Sequence, residues 1–154
     1  MKKLTIVNEI PEKFLEINYR DIKEIFDRPT LVHLKGDKEP PLFISILLHG
    51  NEFSGLQIMQ EILTKYQEDG YYHLPRSIWL FVGNVEAASL GLRRQDDELD
   101  FNRAWPGTPH PDAPTSRLIA EVMEKITGNA LFAALDLHNN TGTNPALRMH
   151  LCCQ

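Results

Sequence analysis

A chain of 154 residues with 42% apolar and 24% charged side chains is long enough for one folded unit with a real core. Its formal charge of −5 excludes the concentrated basic face that nucleic acid or an anionic membrane surface demands, so any anionic substrate must be met by a few local arginines. No apolar run approaches the roughly 18 residues of a membrane span, and the opening "MKKLTIVNEIPEKF" has no uninterrupted apolar segment before a cleavage site, which reads as a cytoplasmic protein.

In chain order, Phe14, Leu15, Ile22, Ile25 and Phe26 fall at helical spacing within 12–26, and a short strand is expected around 31–34, after "DRP". "LFISILL", 42–48, is apolar on both faces, as a central strand covered by helices should be. Leu56, Met59, Leu63 and Tyr66 recur at three- and four-residue steps, which predicts an amphipathic helix over 53–67. "SIWLFV", 77–82, is a second apolar strand, followed by a long polar segment from Gly83 to Pro114. Thr115 or Ser116 is suited to cap a helix with the face Leu118, Ile119, Val122, Met123 and Ile126, stopped by Gly128. "LFAALDL", 131–137, is a third strand. Strands alternating with helices imply an α/β fold whose central strands are largely parallel, because a parallel connection needs a crossover that a helix fills. No repeat, low-complexity tract or linker divides the sequence, so residues 1–154 read as a single domain. Cys152 and Cys153 are adjacent and lack metal-site spacing; they read as reduced thiols.

His49 ends one apolar run and His138 another, at the strand edge where open α/β sheets bind ligands. Glu52 follows His49 by three residues in the turn entering a helix, so the two side chains share one side of the backbone. A histidine and a glutamate at that spacing occur by chance in many helices, and the bland reading is a loop pair without special chemistry. Their position at strand ends, with Gly50 allowing close backbone approach, favours a metal. His49, Glu52 and His138 would leave a fourth coordination position open, which is the catalytic zinc arrangement. Asp136, two residues before His138, is a candidate for orienting a ligand or a substrate group. His33, His73, His110 and His150 have no partner at ligand spacing and read as surface or loop residues.

"HGNEFSG", "GNVEAA", "LDFNRAWPG" and "DLHNNTG" occur in the order seen in the zinc carboxypeptidase superfamily, and over about residues 42–144 the chain most resembles its succinylglutamate desuccinylase and aspartoacylase branch. That resemblance implies a three-layer α/β/α sandwich with a mixed, largely parallel central sheet. It also implies one zinc ion on His49, Glu52 and His138, and hydrolysis of an amide bond in a small acyl-amino acid or peptide substrate bearing a carboxylate. Asn102 and Arg103 would hold that carboxylate, a role suited to the planar guanidinium fork. An earlier arginine would polarise the scissile carbonyl; Arg94 is assigned, although it stands one residue farther from Asn102 than in related sequences. The alternative is that Arg93, Arg94, Asp96, Asp97 and Glu98 form a solvated charged loop. Asp100 would brace either Arg103 or the loop, and Trp105, Pro106 and Gly107 would shape the turn.

In the superfamily the general base is a glutamate on a strand well beyond the third zinc ligand, and "NNTGTNPALRMHLCCQ", after His138, contains no carboxylate side chain. Glu52 cannot be both a ligand and an unencumbered base. The expectation is therefore an N-terminal portion of a longer hydrolase, which binds zinc but turns over slowly. A non-catalytic zinc- and anion-binding module, acting in sensing or assembly, is the alternative, and a purely structural domain a third.

Overall fold

The computed structural model describes residues 3–128 and 130–139, and the backbone of 150–152. Its elements run β1 (Thr5–Val7), β2 (Thr30–Leu34), β3 (Leu42–Ile46), α1 (Ser54–Lys65), β4 (Gln67–Glu68), β5 (Tyr71–Tyr72), β6 (Ile78–Val82), α2 (Val85–Leu90), α3 (Pro114–Thr127), β7 (Ala133–Leu137) and β8 (His150–Cys152). Six strands form one sheet in the order β1-β2-β6-β3-β7-β8, and β4 and β5 form a separate small hairpin. The three adjacent strands β6, β3 and β7 are parallel, as β1 is to β2, whereas β2 and β8 run antiparallel to their inner neighbours.

Alternation along a pleated strand builds a core on each face of this sheet. Ile44 and Ile46 of β3 and Ile78, Leu80 and Val82 of β6 join Leu56, Met59 and Leu63 of α1. Phe43 and Phe81 point the other way and pack with Leu118, Ile119, Val122 and Ile126 of α3. The both-faces-apolar strands read from the sequence are therefore the middle layer of an α/β/α sandwich. Since β6, β3 and β7 are parallel neighbours, the residues that follow each of them emerge at one edge.

Three local expectations differ from the structure. Residues 12–26 form two 3-10 segments, Glu12–Leu15 and Tyr19–Glu24, in place of one helix, because Asn18 is extended and its side chain accepts the Arg20 N–H to start a new turn. Phe14, Ile22 and Phe26 are nonetheless buried, so the apolar spacing marked a packed face. The segment after β6 contains α2, capped by the Asn84 side chain accepting the Ala87 N–H at 3.1 Å and closed by Gly91 at φ 67°. Six residues are too few to show a helical period. In α3 the cap position is Ala113, with Pro114 in the first turn, and Thr115 and Ser116 are buried inside that turn. Cys152 pairs through its backbone with Ala134, and Cys153 lies outside the described residues. No helix among the described residues is long and apolar enough to cross a membrane.

Candidate functional site

β3 is followed by a residue with unusual backbone: Leu47 has φ 52°, a conformation that costs a side-chain-bearing residue roughly 1–2 kcal/mol. It is held there by burial and by the Asn84 N–H, which donates to the Leu47 carbonyl at 2.7 Å. Gly50 then packs directly on α2, where a Cβ would stand 2.2 Å from the Ala88 nitrogen, so any side chain is excluded. The Gly50 N–H donates to the Arg93 carbonyl at 3.0 Å, and the Glu52 N–H to the His49 carbonyl at 3.1 Å. These constraints fix the turn that carries His49 and Glu52, which are 2% and 3% exposed.

The two side chains face each other: His49 Nδ1 lies 3.1 Å from Glu52 Oε2. Both atoms are buried and neither has a hydrogen-bond partner of good geometry. Their other ends are engaged. His49 Nε2 is 2.8 Å from Asp100 Oδ1, and Glu52 Oε1 accepts from Arg93 Nη1 at 2.6 Å. Arg93 Nη2 also approaches Asp100 Oδ2 to 4.0 Å. Burial works against a charged His49 ring, but the adjoining Glu52 and Asp100 carboxylates outweigh it and raise the histidine above its ordinary value. Burial likewise opposes the Asp100 charge, and the Asn102 N–H and the His49 ring overcome it, so Asp100 is lowered.

This donor set fits a divalent cation. Two ligands that each stand about 2 Å from one ion at a near-tetrahedral angle are separated by roughly 3.3 Å, close to the Nδ1 to Oε2 distance. A carboxylate on the far nitrogen of a ligating imidazole fixes the ring and its tautomer, and Asp100 occupies that position on His49. Asp100 was missed as a histidine partner on sequence, because its contact spans 51 positions.

His138 emerges at the same edge. Leu137 is the register partner of Ile46, which places His138 one residue beyond β7 beside the turn that starts after β3. Its Nδ1 is 2.9 Å from Asp136 Oδ2, and Asp136 Oδ1 accepts the buried Ser45 hydroxyl at 2.9 Å. The two histidines differ in this respect: Asp100 is hydrogen-bonded to His49 Nε2, whereas Asp136 lies at ion-pair distance from His138 Nδ1 without hydrogen-bond geometry. Among the described residues no three His, Cys, Asp or Glu side chains gather at ion-binding distance, so the assembled geometry is the His49–Glu52 pair.

The polar loop divides the expected substrate-binding residues. Arg94, assigned on sequence to the carbonyl, instead turns back on its own loop, and Nη1 donates to the carbonyls of Gln95, Asp96 and Glu98 at 3.1, 3.0 and 3.1 Å. A tight loop leaves these acceptors without sheet or helix partners, and one guanidinium satisfies all three. Its neighbour Arg93 is the arginine that reaches the buried pair. Asp100 caps the 3-10 turn Phe101–Arg103 through the Asn102 N–H at 2.8 Å, so it braces the loop as well as His49. Arg103 is exposed, with Nη1 3.3 Å from the Asn102 carbonyl.

The family model described as the succinylglutamate desuccinylase/aspartoacylase catalytic domain matches residues 38–153, which is most of the chain. No curated protein and no solved structure matches it.

Proposed function

From the premise that the chain belongs to the succinylglutamate desuccinylase/aspartoacylase catalytic-domain family, a hydrolytic family, we propose that it is a zinc-dependent hydrolase acting on the amide bond of a carboxylate-bearing acyl-amino acid. The observation that carries the reading is the buried, mutually facing pair His49 Nδ1 and Glu52 Oε2, with Asp100 behind the imidazole. His49 and Glu52 would hold the ion together with His138, whose Asp136 contact at Nδ1 puts Nε2 on the far side of the ring. Zinc held there would supply Lewis-acid polarisation of a carbonyl and lower the pKa of a bound water.

The chain's own residues do the rest. Asp100 holds the His49 imidazole through Nε2, which keeps that ligand from rotating away, and Asp136 stands at ion-pair distance from His138 Nδ1. Arg93 takes the carbonyl-polarising role that the sequence suggested for Arg94, supported by its contact with Glu52 and by the engagement of Arg94 with its own loop. Losing such a donor raises a barrier by about 3 kcal/mol. Asn102 and the exposed Arg103 would receive the substrate carboxylate, to which a guanidinium gives paired, charge-assisted hydrogen bonds. Glu52, Asp100 and Asp136 are each engaged with an arginine or a histidine, and proton transfer is assigned to none of them.

Zinc titration of chelator-treated protein, followed by assay of amino-acid release from a panel of N-acyl amino acids, tests the reading. One tightly bound zinc and slow release that disappears in Glu52→Ala are expected; no zinc binding overturns it. Turnover separates this reading from a non-catalytic zinc- and anion-binding module, which would bind both ligands and release nothing.

A further inference from the structure

Helix α1 begins without a cap of its own. Its N-cap position is Phe53, which has a helical backbone and no side-chain hydrogen bond to the first turn. The acceptor comes from a residue 85 positions away: the Ser54 N–H donates to Asn139 Oδ1 at 3.2 Å. A second feature brings the same two segments together. Gly55 lies on the end of β7, where a Cβ would stand 2.6 Å from the Leu137 carbonyl oxygen. The helix start that follows Glu52 is therefore docked on the strand end that precedes His138, once by a missing side chain and once by a borrowed cap.

We infer that Asn139 is a positioning residue for the ion site: by capping α1 from the β7 side, it fixes the segment carrying His138 against the turn carrying His49 and Glu52. Leu137 packs closely on Gly55 and Asn139 Oδ1 accepts from Ser54, so the residues on both sides of His138 meet the start of α1. The inference rests on the zinc reading above. It differs from an ordinary cap in its consequence, which is where His138 stands relative to the His49–Glu52 pair.

The test measures zinc affinity by competition with a chromophoric chelator, for the unaltered chain, Asn139→Ala, Asn139→Asp, His138→Ala and the Asn139→Ala/His138→Ala pair. Asn139→Ala should weaken zinc binding by about tenfold, the lower range for outer partners of a metal site. Asn139→Asp, which keeps the acceptor, should restore most of it. In the His138→Ala background the Asn139 substitution should have little further effect, because the residue through which it acts is gone. A merely structural cap would lower the melting temperature and weaken zinc equally with or without His138; that result overturns the inference, as does unchanged affinity in Asn139→Ala. Absence of zinc binding by the unaltered chain overturns the metal reading and this role with it, whereas a zinc-binding parent with an unaffected Asn139→Ala overturns the clamp alone.

Discussion

The turn after β3 and the polar loop from Arg93 to Arg103 approach the same edge under opposite conditions. In the turn, His49 and Glu52 are almost fully buried, and a left-handed Leu47, a side-chain-free Gly50 and two backbone hydrogen bonds leave it one conformation. In the loop, Arg94 and Arg103 stand in water and the contacts are made to neighbouring carbonyls. Preorganisation is concentrated where an ion would sit, and exposure where a substrate would enter. Asp100 and Arg93 belong to both regions, since they rise from the loop and end on His49 and Glu52.

The largest expected effect breaks the rigid side. Gly50→Ala places a methyl against the α2 backbone and should destabilise the chain by more than about 3 kcal/mol in urea unfolding, whereas Gly107→Ala meets open space and should lose about 1 kcal/mol from its positive φ alone. Next, Asp100→Asn should weaken zinc binding by about ten- to a hundredfold. Arg103→Ala should leave zinc affinity unchanged and weaken a carboxylate inhibitor by about tenfold or more, the loss of one charge-assisted hydrogen bond or pair. Equal effects of these two substitutions on zinc would dissolve the distinction between the regions. Arg94→Ala should cost about 1 kcal/mol of stability and leave the rate per folded molecule intact, because it ties carbonyls of its own loop.

The smallest effect is one of pH. In metal-free protein the raised His49 contributes stability that is complete below about pH 6.5 and is lost as pH rises through its folded value. The lowered Asp100 contributes above about pH 3.9 and loses that contribution as pH falls through its own folded value. The urea midpoint in chelator should therefore be highest between those limits. His49→Asn should remove the alkaline decline.

The strands β2, β3, β6 and β7, the faces of α1 and α3, and the edge shared by His49, Glu52 and His138 were legible in the sequence, because runs and periods of apolar residues are local signals. The residues that complete the buried pair were not. Asp100 meets His49 across 51 positions and Arg93 meets Glu52 across 41, and no spacing rule announces either. The choice between Arg93 and Arg94 turns on which of two adjacent side chains the loop aims inward, and period and composition treat adjacent residues alike. α2 was hidden by its length, and β8 by being three residues long and pairing antiparallel with β7.

Ser45 and Asp136 sit opposite each other on β3 and β7, and the hydroxyl donates to the carboxylate. A slide of β7 by one position would turn that carboxylate to the opposite layer and set a leucine against the serine, stranding both polar groups. The pair thus works as a key between the two strands: of all the alignments their apolar residues would tolerate, it admits the one that delivers both histidines to the same edge.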